Sequence, residues 1–141
     1  MLIIRVMTVT GLEKHFKYRP YKARKVLLVD DEEDLGWILN KIIRDAGHRL
    51  IYASTLTEGI RKLKNSKKLD MAIIDLRLGN DSGLTFIKKA KTINHKVKLT
   101  VISAFGTDEI KNKARRLGVR HFLDKPVKPE KLLDIIDRDC F

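Results

Sequence analysis

The chain has 141 residues, 43% of them apolar, and a formal net charge of +12. This length predicts one domain with one hydrophobic core. No stretch approaches 18 apolar residues, so no transmembrane helix is predicted. The apolar opening segment contains Arg5 and lacks a small-residue cleavage site, which argues against a signal peptide. A single cysteine, Cys140, cannot form an internal disulfide, and these features together predict a cytoplasmic protein.

The positive charge is unevenly distributed. Residues 1–25 contain seven Lys or Arg and one acid, whereas residues 26–141 contain 23 Lys or Arg and 17 acids. We predict that residues 1–24 form a basic N-terminal extension, because Pro20 and the charge density argue against a stable element there. One helical turn after Thr10 is the alternative. The extension is either a solvated, disordered leader or an arm that binds nucleic acid or anionic lipid nonspecifically.

From Lys25 onward, short apolar segments alternate with helical patterns. Strands are predicted at 26–29, 49–54, 70–75, 98–103 and 120–124. Helices are predicted at 34–48, from the Thr55/Glu58 capping box onward, and at 83–94, 107–118 and 129–139. Strands that are apolar throughout are typical of a parallel sheet covered on both faces. We therefore predict an α/β fold: a (βα)5 flavodoxin-like, doubly wound sheet of five parallel strands in the order 2-1-3-4-5.

Polar residues follow the ends of four predicted strands. Asp30 and Asp31 follow the first, Asp75 ends the third, Ser103 ends the fourth and Lys125 follows the fifth. In a parallel sheet these ends meet at one edge, where ligands bind. Clustered carboxylates repel one another unless a cation neutralises them, and hard oxygen ligands suit Mg²⁺. Because aspartate can act as a nucleophile toward phosphorus, the pattern predicts a magnesium-dependent phosphoryl site.

Four segments of the chain resemble the receiver domain of two-component response regulators. They are VLLVDDEEDL, MAIIDLRLGNDSGL, VISA and HFLDKP, and the resemblance covers residues 25–139. It implies a receiver domain over 25–141 that accepts a phosphoryl group from a sensor histidine kinase or a phosphotransfer protein in a phosphorelay. Such a domain catalyses only its own phosphorylation and dephosphorylation, so no enzyme acting on an external substrate is expected.

The resemblance also assigns roles around the metal. Asp75 would be the phosphoacceptor. Asp31 would be a direct Mg²⁺ ligand, Asp30 would act mainly through metal-bound water, and the main-chain carbonyl of Arg77 would complete the protein ligands. Glu32 and the two acids after it are interpreted as residues that complement the helix dipole, not as ligands.

Further residues would carry the switch. Lys125 would contact the phosphoryl group, with a cis peptide bond to Pro126. Ser103 would be the hydroxyl that moves toward the phosphoryl group, and Phe122 would be the aromatic residue that turns inward in response. This exchange would change the surface formed by the fourth helix, fifth strand and fifth helix, and so control an output domain, an output protein or a homodimer.

The sequence departs from the family pattern near the site. Gly79 stands where the family often has proline, which should loosen that loop. Arg77 and Phe105 add bulk beside the expected path of a hydrolytic water. We hypothesise that these two side chains slow the loss of the phosphoryl group.

Two other functions were considered. A phosphatase of the haloacid-dehalogenase type also uses an aspartate nucleophile and Mg²⁺, but it needs an Asp-x-Asp motif on the first strand, and the run 30–34 lacks that spacing. A nucleic-acid-binding module would depend on the basic leader, since no recognition motif is visible. The cations of 111–116 are interpreted as a solvated face, or as partners of Asp134 and Asp137 in a dimer.

Overall fold

The computed structural model describes residues 2–7, 13–18, 22–104 and 106–139, so Phe105 lies outside the described residues. The strands are β1 Leu2–Met7, β2 Glu13–Tyr18, β3 Lys25–Val29, β4 Arg49–Ala53, β5 Met71–Asp75, β6 Arg77–Leu78, β7 Asp81–Ser82, β8 Lys98–Ser103 and β9 His121–Asp124. The helices are α1 Glu33–Asp45, α2 Leu56–Asn65, α3 Gly83–Ile93, α4 Asp108–Arg116 and α5 Pro129–Asp139. Across the described residues, no helix has the length and apolar character needed to cross a membrane.

Five parallel strands form the central sheet, in the order β4-β3-β5-β8-β9. This order is the predicted 2-1-3-4-5, and the predicted flavodoxin-like fold is confirmed. The sheet separates two hydrophobic clusters. One contains Leu63, Ile87 and Ala114 of α2, α3 and α4, and the other contains Leu39 and Ile136 of α1 and α5. Because both faces are covered, the carboxyl edge of the sheet is left for a site.

Local signals set the helix ends. The Thr55 hydroxyl accepts a hydrogen bond from the Glu58 amide at 3.1 Å, as predicted, but the Glu58 carboxylate reaches back to the amide of Ser54. Helix α1 ends at Asp45, three residues before the predicted end. Gly47, at φ 88°, takes the left-handed conformation that stops the helix, and its amide donates to the carbonyl of Arg44 at 2.9 Å.

The N-terminal segment contains secondary structure that the sequence analysis did not predict. Strands β1 and β2 pair as an antiparallel hairpin, with Leu2 opposite Tyr18 and Met7 opposite Glu13. The prediction of no stable element, and the alternative of a helical turn, are therefore wrong for residues 2–7 and 13–18. The first strand is rich in branched aliphatic residues, and the prediction gave too much weight to charge and too little to this β propensity. The domain boundary after residue 24 stays a prediction.

A buried histidine joins the start of the central sheet to the last helix. The amide of Arg24 donates to His48 Nδ1 at 2.9 Å, and His48 Nε2 lies 3.2 Å from Asp137 Oδ1 on α5. Because Nδ1 accepts a backbone hydrogen bond, Nε2 carries the ring proton and donates to the carboxylate. The carbonyl of Arg24 accepts from the Arg49 amide at 2.9 Å. Both backbone groups of Arg24 thus bind the folded domain.

Candidate functional site

A cleft opens at the carboxyl edge of the sheet, where β3, β5, β8 and β9 end. The cleft contains most of the polar side chains that the sequence placed at strand ends. Its lining residues are Asp31, Glu32, Asp75, Arg77, Gly79, Ser103, Ala104 and Lys125. Asp30, which is fully buried, lies behind this lining and contacts the Lys125 ammonium.

The Lys125 ammonium is the centre of the cluster. Its Nζ lies 2.7 Å from Asp75 Oδ2, 2.9 Å from Asp30 Oδ2 and 2.9 Å from Glu32 Oε1. Burial alone lowers the pKa of Lys125, but its contacts with the carboxylates of Asp75, Glu32 and Asp30 outweigh burial and leave the pKa above its ordinary value. Lys125 is therefore a fixed positive charge that three acids share.

Asp30 is the most confined of the three acids. Its Oδ1 accepts a hydrogen bond from the Glu32 amide at 2.8 Å. Its Oδ2 faces Lys125 at ion-pair distance, but the contact lacks hydrogen-bond alignment, and Oδ2 has no hydrogen-bond partner among the described residues. Burial raises the pKa of Asp30 to about 6, against the lowering effects of the Glu32 amide and Lys125. This buried carboxylate oxygen is thus held by the charge of Lys125 and by no hydrogen bond among the described residues.

Asp75 ends β5 and is buried. Its Oδ1 accepts from the amide of Arg77 at 3.0 Å, and its Oδ2 is bound by Lys125. These two contacts fix the carboxylate plane with one edge toward the cleft. The Arg77 side chain is exposed on β6 and borders the same cleft. The predicted neighbourhood of Asp75, Arg77 and Lys125 is therefore present.

Asp31 and Gly79 form a contact that the sequence analysis did not anticipate. The Gly79 amide donates to Asp31 Oδ2 at 3.1 Å. Gly79 lies in the two-residue turn between β6 and β7 and has φ 60°. Proline could supply neither this backbone conformation nor the amide proton. Glycine at this position therefore gives a tight hairpin that positions Asp31, where the sequence analysis expected a looser loop.

The acidic residues fit a hard divalent cation. Carboxylate oxygens of Asp30, Glu32 and Asp75 all lie within 4.8 Å of one another. Such oxygen-only ligands suit Mg²⁺. The sequence analysis excluded Glu32 from the site, yet its side chain joins this cluster and binds Lys125. The proposed ligand roles of Asp31 and of the Arg77 carbonyl stay predictions.

The predicted switch residues lie around the far side of the cleft. Ser103 ends β8 and is buried, and its carbonyl accepts from the Lys125 amide at 3.1 Å. The Lys125–Pro126 bond is cis, as the resemblance implied. Phe122 is half-buried on β9, and the guanidinium carbon of Arg115 on α4 lies 4.8 Å from its ring centroid. This cation–π contact links the aromatic residue to α4.

Tyr52 supports the site from β4, and the sequence analysis missed it. Its hydroxyl donates to the carbonyl of Asp30, and its ring packs so closely on α1 that a Cβ at Gly36 would lie 2.8 Å away. Burial, followed by the charge of Asp30, raises the pKa of Tyr52 to about 12. A tyrosine in the middle of a predicted strand gives no sequence signal for this role.

The raised pKa of Asp30 predicts a pH-dependent cost to stability. The folded state binds this proton more tightly than an unfolded chain, with a pKa of about 6 against 3.8, so the contribution of Asp30 favours folding below pH 4 and is lost as pH rises through 6. As pH rises from 4 to 7 without metal, we expect the unfolding free energy of Asp30→Asn to increase by about 2 kcal/mol relative to that of the parent. Urea denaturation at several pH values measures this difference. A difference that stays constant with pH would contradict it.

Comparisons of the sequence with family models and with known proteins agree on one family. The family model for the response regulator receiver domain matches residues 26–137. The chain is 30% identical over 117 residues to the transcriptional regulatory protein GlrR of Escherichia coli, covering 83% of this chain and 26% of that protein. It is 27% identical over 118 residues to the chemotaxis protein CheY of Thermotoga maritima, covering 82% of this chain and 97% of that one. The chain thus spans about a quarter of GlrR and nearly all of CheY.

Solved structures agree. A response regulator receiver protein from Pseudomonas putida superposes with a TM-score of 0.78 at 28% identity, covering 84% of this chain and 98% of that one. A response regulator from Burkholderia pseudomallei, whose crystal structure contains a phosphorylated aspartic acid and a calcium ion, superposes with a TM-score of 0.75 at 25% identity, covering 83% of this chain and 68% of that one. This chain belongs to the response regulator receiver domain family, the phosphoacceptor signalling modules of two-component systems.

Proposed function

We propose that Asp75 is the phosphoacceptor of this receiver and that its phosphorylation requires Mg²⁺. The observation that carries the proposal is the contact of one ammonium, Lys125, with the carboxylates of Asp30, Glu32 and Asp75 at 2.7–2.9 Å in a partly buried cleft. A fixed cation beside a fixed carboxylate is the arrangement that phosphoryl transfer needs, since that reaction depends on positioning and charge neutralisation.

The chemical step follows from these positions. A carboxylate oxygen of Asp75 attacks the phosphorus of the donor, a P–O bond forms, and the P–N bond of a phosphohistidine breaks, with the electron pair returning to the imidazole. Lys125 then exchanges part of its contact with Asp75 for an oxygen of the transferred phosphoryl group. Donors are a sensor histidine kinase or a phosphotransfer protein. The protein acts as a regulatory phosphoacceptor and turns over no external substrate.

Mg²⁺ would be held by Asp30 and Asp75, with Asp31 and the Arg77 carbonyl as the further ligands that the resemblance implies. When bound, the ion supplies positive charge that offsets the phosphoryl oxygens. The buried Oδ2 of Asp30, which makes an ion pair with Lys125 but no hydrogen bond within the described residues, supports this assignment. Glu32 keeps Lys125 in place beside the acids. Arg77 borders the cleft, and its side chain would slow the loss of the phosphoryl group by crowding the hydrolytic water.

The output of phosphorylation would be a change in the surface of α4, β9 and α5. Ser103 would move toward the phosphoryl group and Phe122 would turn inward, and its contact with Arg115 would then break. An output domain, an output protein or a second copy of the chain would bind the altered surface. The cations of α4 at 111–116 and the acids Asp134 and Asp137 of α5 are the charged groups that a dimer would use.

Intact mass after incubation with acetyl phosphate tests the proposal. We expect a gain of one phosphoryl group with Mg²⁺, and no gain without Mg²⁺ or in the Asp75→Ala variant. Asp81→Ala is the matched control, because Asp81 is an exposed aspartate on the adjacent hairpin, and this variant should be phosphorylated like the parent. Equal phosphorylation of the Asp75→Ala variant and the parent would refute the assignment of Asp75. A protein that takes no phosphoryl group from acetyl phosphate or from a purified histidine kinase would refute the proposed function.

A further inference from the structure

After the first strand of the central sheet, three long stretches of the chain contain five cations each and no acid. They are residues 59–69, 82–98 and 110–123. In the structure they contain the later parts of α2 and α4, all of α3 and the loops that follow these helices. The positive charge of the protein is therefore not confined to its N-terminal extension.

These stretches lie on one side of the sheet. Helices α2, α3 and α4 pack on the same hydrophobic cluster, and they carry ten cations and three acids. On the other side, α1 and α5 carry four cations and seven acids. The helices on the two sides of the sheet thus carry opposite net charge.

Helix dipoles explain only part of this charge. Cations stabilise the last turn of a helix, and Lys62, Lys64 and Lys91 occupy such positions in α2 and α3. Seven exposed cations of α2, α3 and the loops after them form what we call the basic face, and only Lys64 among them is in a last turn. The basic face consists of Arg61, Lys64, Lys67, Lys68, Lys88, Lys89 and Lys96.

The charges of this side repel one another. The pKa of Lys91 is lowered, first by burial and then by the nearby Lys98 and Arg120. Within the described residues, three of the fifteen cations have a carboxylate partner: Lys62 with Glu58, Lys111 with Asp124 and Lys113 with Glu109. An approaching polyanion would relieve this repulsion and release its own counterions.

The chemistry of the face selects among polyanions. The large hydrophobic side chains that are exposed among the described residues, Trp37 and Ile38, are both on α1, on the opposite side. Among the described residues, the basic face therefore offers no large apolar anchor for a membrane, no apolar centre for a protein interface and no exposed Phe, Tyr or Trp ring for stacking single-stranded bases. Cations without such groups suit the phosphate backbone of a duplex, and double-stranded DNA has about one charge per 1.7 Å.

We propose that the basic face binds double-stranded DNA through its phosphate backbone, without sequence preference. Helices α2 and α3 lie side by side, so their exposed lysines and the loops that follow can contact one backbone together. None of its seven residues lines the phosphoacceptor cleft or belongs to the N-terminal extension. If the basic face does not bind DNA, the proposed phosphorylation of Asp75 is unaffected.

The test uses the full chain and a fluorescent 30-base-pair duplex in an anisotropy titration over a salt series. Lys64→Glu/Lys89→Glu changes the basic face, Lys41→Glu/Arg44→Glu makes the same charge change on α1, and Lys14→Glu/Lys17→Glu makes it in the extension. We expect the basic-face variant to lose at least about 10-fold in affinity at low salt and to reduce the slope of log affinity against log salt by about 2. The two controls should each lose less than about threefold, and circular dichroism should show all three variants folded.

Four results would overturn the proposal that the basic face binds a nucleic acid, and a fifth would overturn the choice of DNA. The four are no salt-dependent binding by the parent, equal losses in the basic-face and α1 variants, a loss confined to the extension variant, and equally tight binding of the parent to vesicles with anionic lipid. Binding at least 10-fold tighter to duplex RNA than to DNA would also reject the assignment to DNA.

Discussion

Replacing Gly83 by alanine is expected to destabilise the protein by about 3 kcal/mol or more. A Cβ at this position would lie 2.2 Å from the carbonyl oxygen of Asp75 and 2.9 Å from the Cα of Leu76. Both neighbours are backbone atoms, so no side-chain rotation relieves the clash. Either α3 must move away from β5 or the end of β5 must shift, and the second change would displace the Asp75 carboxylate. Urea denaturation measures the loss of stability.

Gly106→Ala is the matched control. A Cβ there would meet the end of the Lys111 side chain at 2.9 Å, and that flexible chain can move aside. We expect a change below about 0.5 kcal/mol for this variant. If Gly83→Ala were as stable as Gly106→Ala, the close approach of α3 to Asp75 would be wrong.

Replacing Lys125 by methionine is expected to destabilise the metal-free protein by about 3 kcal/mol near pH 8, and by less near pH 5. The substitution removes the cation from three carboxylates, and Asp30 and Asp75 are buried. Because Lys125 lowers the pKa of Asp30, its loss raises that pKa further above 6. Protonation at low pH then relieves the repulsion, so the destabilisation grows as pH rises.

Thermal unfolding at pH 5 and pH 8, with and without Mg²⁺, checks this expectation. Added Mg²⁺ should restore part of the stability at pH 8, because the ion neutralises the same carboxylates. Lys128→Met, on an exposed lysine three residues later, should unfold like the parent at both pH values. A loss of the same size at pH 5 and pH 8 would mean that Lys125 stabilises the fold by packing and not by charge.

The central fold could be predicted because its signals are local. Apolar strands buried on both faces, separated by helices with recognisable caps, specify a parallel sheet, and the ends of most elements agree within two residues. Helix α1 is the exception at its end, since Gly47 stops it earlier through a left-handed turn. The site residues could be predicted in part for the same reason, since Asp30, Asp75, Ser103 and Lys125 each follow or end a strand.

Other features depend on distant contacts and gave no local signal. Glu32 is the residue just before α1, which begins at Glu33, and its side chain makes no capping bond. The side chain is therefore within reach of Lys125, 93 residues away in sequence. Tyr52 contributes through a hydrogen bond to the neighbouring strand, and the closeness of Gly83 to Asp75 follows from how α3 packs. The β1–β2 hairpin was missed for a different reason, because the β propensity of Leu2–Met7 is a local signal that the prediction weighed too little against charge.

The hydrogen bonds of Arg24 indicate which backbone groups a fragment or a fusion of this domain must keep at its start. A fragment that starts at Lys25 removes the amide that donates to His48 Nδ1 and the carbonyl that accepts from Arg49, whereas a fragment that starts at Arg24 retains both. His48 also contacts Asp137, so a fragment that starts at Lys25 loosens the imidazole that anchors the last helix. In a chimera the residue joined before Lys25 supplies a backbone amide and carbonyl of its own, so the junction can keep these bonds unless that residue is proline, which has no amide proton to donate to His48.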